Sequence, residues 1–382
     1  MHYTHGMKKL SLIVLVFLIL AAGIFFFRSE KKQLPSQLTN VPFVSKQQPS
    51  PDVAAVTVVA TNLDTPWGIT FIDDHTMLVT ERMGNVRLIA DDKLDPTPVL
   101  TLSNVKEVQE SGLLGIAAHP DFAKNHYVYL YYTYNSTGNN TINRVVRMTY
   151  HDKKLIDEKV IVDKIPGAGN HNGGRIKFGL DKLLYIGTGD AQDPSQAQDK
   201  NTLGGKILRV TDEGKAAPDN PFHNLVYSYG HRNVQGLAWN KDGYLWATEH
   251  GRSGIQSGLD ELNLILSGAN YGWPILQGDQ QGEGIDAARK NSGSTTWAPA
   301  GAAFVGNSLF FGGLRGQTLY EAVIKNNQVT TLKEHFNAQY GRIREVILGP
   351  DGMLYITTSN KDGRGIPQNE DDKIIRVNTT RL

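Results

Sequence analysis

Beyond about residue 53, the chain is organised by a repeating pattern of apolar runs and polar turns. Each copy has an apolar run, a turn built on Asp, Asn or Gly, and a short strand of aromatic and aliphatic residues. The copies recur about every 55 residues, which leaves room for a four-stranded antiparallel sheet. The six copies fall at residues 69–80, 116–133, 176–188, 237–248, 303–311 and 346–358.

The period of this repeat predicts the fold class. No long amphipathic helical pattern separates the copies, which argues against alternating strands and helices. Short strands at a fixed long period are typical of radial repetition. The pattern therefore predicts an all-β protein, a six-bladed β-propeller, with a β-sandwich of similar hairpins as the alternative. In a propeller the loops of every blade meet at one mouth of the central channel, so polar side chains near the repeat strands are candidates for function.

The first 52 residues follow a different pattern. Residues 10–27 are apolar apart from Ser11 and Gly23, and a helix of this length spans about 27 Å, close to a bilayer core of about 30 Å. Because the apolar run continues past its small residues, it predicts an uncleaved membrane anchor, with a cleaved signal peptide as the alternative. Residues 1–9 are then a basic segment, 28–52 a flexible linker and 53–382 the propeller domain. This order predicts a location outside the cytoplasm, at the cell membrane.

Composition narrows the possible functions. The chain has 39 Lys and Arg against 38 Asp and Glu, a formal charge of +1, which gives no reason to expect a nucleic-acid partner. Glycine is abundant, 39 of 382 residues, as expected for many tight turns. Cysteine is absent. Disulfides, thiolate zinc sites and cysteine nucleophiles are therefore excluded.

A histidine lies in a glycine-rich turn directly before the third repeat. Gly169, Gly173 and Gly174 surround His171 and leave its side chain uncrowded. A histidine presented in this way can act as a general base near neutral pH, although a histidine in a turn is often only structural.

Arginines cluster near three other repeats. Arg342 and Arg344 begin the sixth repeat, and because side chains alternate along a strand, both guanidinium groups lie on one face. Such a pair suits carboxylates or phosphate, with solvated charge on an edge strand as the alternative. Arg315 lies near the fifth repeat, and Arg232 belongs to a polar segment before the fourth.

Residues 248–274 place carboxylates within irregular, glycine-rich sequence. Carboxylate and backbone oxygens are the hard ligands that Ca²⁺ prefers, but the spacing is not that of an EF-hand. The chain has no glycine-rich phosphate loop between a strand and a helix, so a nicotinamide or ATP site is not expected.

Several longer phrases occur together along the chain. They are Gly112-Leu113-Leu114-Gly115, His119-Pro120-Asp121-Phe122, Tyr229-Gly230-His231-Arg232-Asn233, Asp260-Glu261-Leu262-Asn263 and Asn270-Tyr271-Gly272-Trp273-Pro274. In this order they resemble the soluble aldose dehydrogenases that depend on pyrroloquinoline quinone (PQQ), the glucose and sorbosone dehydrogenase family of six-bladed propellers. The resemblance covers nearly the whole globular part, from residue 64 to residue 344.

The resemblance implies a reaction and a base. It assigns the role of catalytic base to His171, which would take the proton from the anomeric hydroxyl of an aldose while the C1 hydride passes to the quinone. The sugar would leave as a lactone, and an external electron acceptor would reoxidise the cofactor. Here the cofactor brings the redox chemistry and the protein supplies positioning and electrostatics.

The resemblance also implies the residues that hold the cofactor. PQQ carries three carboxylates, and Arg232, Arg315, Arg342 and Arg344 fall on family positions that bind it, together with the amide of Asn233. Glu110 falls on a further cofactor-binding position, where the family often has Gln. A carboxylate there is an anion beside a tricarboxylate ligand, unless it is protonated or paired with an arginine.

Two calcium sites are implied in the same way. Gly251 and Arg252 fall where backbone carbonyls hold the Ca²⁺ that polarises the quinone. Glu261 and Tyr271 match a second, structural calcium site.

Two other functions are compatible with the sequence. One is a non-catalytic propeller of the same family that binds carbohydrate or a protein at the cell surface. The carboxylate of Glu110 at a cofactor-binding position favours this alternative. The other is a calcium-dependent sugar lactonase, which would need several carboxylates on one metal, and only Glu249, Asp260 and Glu261 cluster in the sequence.

Overall fold

The computed structural model describes residues 53–136 and 140–382, which form six antiparallel sheets. The inner edges of neighbouring sheets are in contact all the way round, and the sixth sheet contacts the first. The structure therefore confirms the predicted six-bladed β-propeller. The first strand, β1 (Val56–Ala60), pairs with the last strand of the chain and so joins the N-terminal end of the domain to blade 6.

The first three blades contain thirteen strands. Blade 1 has β2 (Pro66–Phe71), β3 (Thr76–Glu81), β4 (Asn85–Ala90) and β5 (Lys93–Leu94), with β6 (Leu100–Thr101) paired to β4. Blade 2 has β7 (Leu113–Ala118), β8 (Tyr127–Asn135), β9 (Thr141–His151) and β10 (Lys154–Pro166). Blade 3 has β11 (Ile176–Phe178), β12 (Leu184–Gly187), β13 (Lys206–Val210) and β14 (Val226–Tyr229).

The last three blades repeat this plan. Blade 4 has β15 (Val234–Trp239), β16 (Leu245–Glu249), β17 (Glu261–Ile265) and β18 (Lys290–Asn291). Blade 5 has β19 (Pro299–Val305), β20 (Ser308–Gly313), β21 (Thr318–Lys325) and β22 (Gln328–His335). Blade 6 has β23 (Ile343–Leu348), β24 (Leu354–Thr358), β25 (Ile374–Val377) and β1. The described helices are short: α1 (Phe122–Asn125) and 3₁₀ turns at Pro194–Ala197, Gly254–Gln256 and Thr379–Arg381.

Each sequence repeat is the hairpin formed by the two innermost strands of one blade, and in several blades an Asp or Asn side chain holds the turn. Asp181 Oδ1 accepts a hydrogen bond from the Leu183 N–H (3.1 Å), and Asp351 Oδ1 does the same for Met353 (3.1 Å). In blade 4, Asn240 Oδ1 plays this part. These local bonds explain why Asp or Asn recurs at the turn.

The blades approach one another too closely for side chains at two glycines of the inner strands. A Cβ atom on Gly115 would lie 2.2 Å from the carbonyl oxygen of Gly174, and one on Gly236 would lie 2.4 Å from that of Ala300. Thr80 and Thr248 then donate hydrogen bonds to the carbonyls of Leu114 and Ala300 in the next blade, each at 2.6 Å. Close packing of the inner strands fixes the positions of the loops that follow them.

Each inner hairpin begins and ends on one face of the propeller, which we call the site face. Loops before the innermost strands and loops after the second strands both open there. Among the described residues, no helix is long and apolar enough to cross a membrane. The predicted anchor at residues 10–27, with the segments 1–9 and 28–52, lies outside the described residues, so the anchor and the domain boundaries remain predictions.

Candidate active site

A cavity of about 570 Å³ opens on the site face at the mouth of the central channel. Its walls come from loops of blades 2 to 6, as expected for a propeller. Arginine is the dominant charged residue in these walls, which carry five arginines and two carboxylates: Arg252, Arg315, Arg342, Arg344, Arg364, Glu110 and Asp260. This surplus of positive charge favours an anionic ligand.

His171 lines this cavity and is oriented by a buried carboxylate. The imidazole Nδ1 lies 2.8 Å from Asp190 Oδ1, and Asp190 is fully buried. Asp190 Oδ2 accepts a second hydrogen bond, from Trp273 Nε1 at 2.9 Å. Because the carboxylate accepts the proton on Nδ1, the hydrogen-bond network assigns the basic lone pair to Nε2. The arrangement is that of a general base held by a third group.

The backbone at His171 is held as firmly as the ring. Its φ angle is +60°, in the left-handed region that few non-glycine residues adopt. The His171 N–H donates to Glu110 Oε2 (3.1 Å), and its carbonyl accepts from the Ala191 N–H (3.0 Å). Tertiary contacts therefore fix a conformation that a free turn would seldom adopt.

Arg342 and Arg344 lie side by side in the cavity wall, where Arg342 directly precedes and Arg344 belongs to β23, the innermost strand of blade 6 rather than an edge strand. Both face Asp362: Arg342 Nε donates to Asp362 Oδ2 at 2.9 Å, and Arg344 Nη2 lies 3.8 Å from the same oxygen. Burial lowers the pKa of Arg344 to about 9, against the opposing effect of Asp362. Arg344 thus remains charged at neutral pH. Burial opposes ionisation of Asp362, but the two arginines outweigh it and lower its pKa.

The other predicted cofactor ligands occupy two different places. Arg315 is exposed at the cavity rim, where Nη1 donates to Ser257 Oγ at 3.2 Å. Arg232 and Asn233 are buried behind the wall and do not line the cavity. Arg232 Nη2 donates to Ser253 Oγ (2.8 Å), and Asn233 Oδ1 accepts from the Gly173 N–H (2.9 Å).

Several buried nitrogens at the site have no hydrogen-bond partner in the described part of the chain. They are Arg232 Nε, Asn233 Nδ2, His250 Nε2 and Arg252 Nε. A buried donor without an acceptor costs about 1–3 kcal/mol. His250 and Arg252 line the cavity, so a ligand rich in carboxylate and carbonyl oxygens would relieve this cost at those two residues. The cavity therefore suits an oxygen-rich anion such as PQQ, and His250, which also lines it, is a contact that the sequence did not indicate.

Glu110 lies in the cavity wall and is paired with an arginine. Arg364 Nη1 lies 2.5 Å from Glu110 Oε1. Burial alone would raise the pKa of the Glu110 carboxyl, but His250, Arg364 and the His171 N–H together lower it to about 2. Glu110 is therefore ionised, and Arg364 neutralises its charge. Pairing with an arginine is one of the two arrangements, besides protonation, in which a carboxylate here is compatible with an anionic ligand.

The predicted metal ligands Gly251 and Arg252 line the cavity, but their backbone is already hydrogen-bonded. The Gly251 N–H donates to Asp260 Oδ1 (2.8 Å), and the Arg252 carbonyl accepts from the Gly258 N–H (3.3 Å). In residues 53–136 and 140–382, no group of three or more His, Asp or Glu side chains could hold a metal ion. A calcium ion at this position would be bound by the Gly251 carbonyl and by the second lone pair of the Arg252 carbonyl.

Glu261 and Tyr271 lie away from this cavity, in the interior of blade 4. Burial and the neighbouring Glu249 raise the pKa of Glu261 to about 8. The Tyr271 hydroxyl donates to the Leu264 carbonyl (2.6 Å) and accepts from the Leu266 N–H (2.8 Å), so only its backbone carbonyl could be a metal ligand. The second calcium site therefore remains a prediction.

A buried Ser–His–Glu arrangement lies close to these residues. His231 bonds Ser228 Oγ and Glu249 Oε2, each at 2.8 Å, and its ring stacks on Tyr271 at 4.6 Å. All are buried and none lines the cavity, so the arrangement has no access to a substrate. Glu249 is held in this structural network, which also separates it from Asp260 in the cavity wall.

Fold and site together define a class of protein: a six-bladed propeller with a carboxylate-oriented histidine in an arginine-lined cavity at the mouth of its channel. Residues 63–368 match the sequence model of the glucose / sorbosone dehydrogenase family. An aldose sugar dehydrogenase of Escherichia coli is 31% identical, over 82% of this chain and 92% of that protein. Quinoprotein glucose dehydrogenase B of Acinetobacter calcoaceticus is 32% identical, over 59% of this chain and 54% of its own length.

A solved structure shows the same similarity. The PQQ-bound aldose sugar dehydrogenase of Streptomyces coelicolor is 39% identical and aligns with a TM-score of 0.79, over 84% of this chain and 97% of that one. The chain belongs to the glucose/sorbosone dehydrogenase family, a family of oxidoreductases.

Proposed function

We propose that this protein is a quinoprotein dehydrogenase that oxidises the C1 hydroxyl of an aldose to a lactone, with PQQ and Ca²⁺ as cofactors. The observation that carries the proposal is the placement of His171, oriented by Asp190, in a cavity whose walls bear five arginines. The PQQ-bound neighbour and the quinoprotein relative support the choice of cofactor.

The residues of this chain have separate tasks in the reaction. His171 Nε2 accepts the proton of the C1 hydroxyl, and Asp190 stabilises the imidazolium that forms. Arg315, Arg342 and Arg344 would hold carboxylates of the cofactor, and the unpartnered nitrogens of His250 and Arg252, which line the cavity, would supply further donors. Arg232 and Asn233 would support the wall from behind. When bound, PQQ supplies an ortho-quinone that accepts the hydride from C1. The backbone carbonyls of Gly251 and Arg252 are the proposed Ca²⁺ ligands.

Titration of the purified full-length protein with PQQ tests the proposal. With Ca²⁺ present, we expect a shifted quinone absorbance and, with an aldose panel and a dye as acceptor, reduction of the dye. Chelation of Ca²⁺ should abolish the turnover. Binding of PQQ without oxidation of any sugar would identify a binding propeller instead, and no binding of PQQ would contradict the proposal.

We also propose that the protein acts outside the cytoplasm, held at the membrane by residues 10–27. The apolar run of that segment and the linker after it support this location. In cell fractionation the protein should stay with membranes after an alkaline wash and be digested by protease added to spheroplasts. Recovery in the soluble cytoplasmic fraction would contradict the proposed location.

A further inference from the structure

The loop after β24 supplies charges to two separate parts of the cavity wall. Asp362 faces Arg342 and Arg344 within blade 6. Two residues later, the Arg364 side chain extends from blade 6 to the loops that precede blades 2 and 3. There it contacts Glu110 at 2.5 Å and donates to Asn170 Oδ1 at 2.9 Å. Arg364 is therefore the link between blade 6 and the loop that carries His171.

The loops around Glu110 and His171 are also tied together without Arg364. The Glu110 N–H donates to the Gly169 carbonyl (2.8 Å), and the His171 N–H donates to Glu110 Oε2 (3.1 Å). A third bond joins Asn170 Nδ2 to Gln109 Oε1 at 2.5 Å. With these three bonds in place, the position of His171 does not depend on Arg364 alone, and the distinctive contribution of Arg364 is its charge.

That charge matters because Glu110 faces the space in which an anionic ligand would lie. Only 16% of the Glu110 side chain is exposed, so water screens its charge poorly, whereas half of the Arg364 side chain is exposed. At an effective dielectric constant of about 20, two like charges about 8 Å apart repel strongly enough to weaken binding by about tenfold or more. Without Arg364, this repulsion between Glu110 and a bound carboxylate would weaken ligand binding.

We propose that Arg364 is a positioning residue of the active site, whose guanidinium neutralises Glu110 so that an anionic cofactor binds beside a carboxylate. The proposal rests on the proposed function, because it takes PQQ as the anion. In this proposal Glu110 and Arg364 act together. The Glu110 carboxylate holds the His171 backbone, and Arg364 removes the repulsion between that carboxylate and an anionic ligand. An amide at position 110 would need no such partner.

A double-mutant cycle tests the proposal on the full-length protein. Four proteins are compared: wild type, R364A, E110Q and the double variant E110Q/R364A. Dissociation constants for PQQ are measured by absorbance titration with Ca²⁺ present, at low and high ionic strength. We expect R364A to bind about tenfold more weakly, the size of effect that the repulsion predicts after partial screening. The PQQ affinity of the double variant should return to within about threefold of wild type, because the carboxylate charge is gone. The amide oxygen at position 110 can still accept the hydrogen bond from the His171 N–H.

The dependence on salt distinguishes a charge effect from a structural one. The loss of PQQ affinity in R364A should shrink as ionic strength rises. The matched control is R376A, which breaks the pair between Arg376 and Asp92 (3.1 Å) away from the cavity and should leave PQQ affinity unchanged. If the double variant is as impaired as R364A, the arginine only braces the loops and the proposal is wrong.

The cycle also separates this proposal from the proposed function. If wild type binds no PQQ, the proposed function fails, and citrate then replaces PQQ as the polycarboxylate probe in calorimetric titrations of the same four proteins. Weaker citrate binding by R364A, restored in the double variant, would support the charge role independently of PQQ. Equal binding by wild type and R364A, or no binding of either anion by wild type, would overturn it.

Discussion

The two halves of the central channel use charge in different ways. The cavity at the site face has more arginines than carboxylates in its walls and several buried donors without partners. Further along the channel, a smaller cavity of about 200 Å³ is lined by residues from all six inner strands, most of them apolar. There the buried Arg175 is paired with the buried Glu345.

The inner pair is embedded in further contacts. Arg175 Nε donates to the Gln235 carbonyl (2.8 Å), and its guanidinium lies 4.4 Å from the centre of the Trp67 ring. Glu345 also accepts backbone N–H groups, including that of Ile69 at 3.3 Å. Charges matched by neighbours within the fold support the structure, whereas charges in surplus at an open cavity are available to a ligand.

The largest effect is expected at His171. H171A should keep PQQ bound but lose at least about a hundredfold in turnover, because a general base contributes about 10²–10⁴ in rate. H171Q should be nearly as inactive, since an amide cannot accept the proton. Turnover and PQQ affinity are measured on the same preparations. H335Q is the control, because His335 also contacts a carboxylate, Glu321 at 3.0 Å, but lies outside the cavity. Near-normal turnover in both His171 variants would show that another group is the base.

In the channel interior, the expected effect is on stability. E345A leaves Arg175 buried without its carboxylate, which should lower the free energy of unfolding by about 3–5 kcal/mol. Urea unfolding followed by fluorescence measures the loss. For comparison, E213A removes a carboxylate that is 43% exposed and should cost about 1 kcal/mol or less. If E345A is as stable as E213A, the inner ion pair does not support the fold and the contrast between the two regions is lost.

An intermediate effect is expected for the arginine pair in the cavity wall. R342A and R344A should each weaken PQQ binding by about 1.5–3 kcal/mol, the usual contribution of a charge-assisted hydrogen bond. Stability should fall by only about 1–2 kcal/mol in either variant, because Asp362 keeps the other arginine as its partner. Titration and unfolding of the same proteins give both quantities. Unchanged affinity in both variants would mean that these arginines pair only with Asp362 and do not bind the cofactor.

The sequence predicted the fold well because its signal is local and repeated. The side chains of Asp181 and Asp351 accept hydrogen bonds from the backbone two positions further on, so these hairpin turns can be recognised from short stretches of sequence. Six such hairpins at one period leave few architectures. The positions of Arg342 and Arg344 on one face followed in the same way from strand alternation.

The partners of the site residues were missed because they come from other parts of the chain. Asp190, His250 and Arg364 all lie just after the second strand of an inner hairpin, where the chain returns to the site face. The candidates that the sequence indicates lie mostly before the first strand. Once the hairpin is known to begin and end on one face, polar residues two to six positions after each repeat become candidates as well. The sequence does not indicate which of them pairs with Glu110, because Arg364 is 254 positions away and only the tertiary fold brings the two together.

The smallest effect is expected from the pH dependence of Glu110. Its pKa in the folded protein is lowered to about 2 from an ordinary value of 4.5. A lowered carboxyl pKa means that the folded state gains stability from the ionised form; this gain is complete above about pH 5 and is lost as the pH falls through 4.5 towards 2. Between pH 5 and pH 8, Glu110 and its pair with Arg364 therefore do not change, and wild type and E110Q should show parallel profiles of unfolding free energy. Below about pH 4 the wild-type profile should fall more steeply than that of E110Q. Urea unfolding of the two proteins at half-unit steps from pH 3 to pH 8 makes the comparison, and divergence of the profiles above pH 5 would show that Glu110 is not held ionised by Arg364.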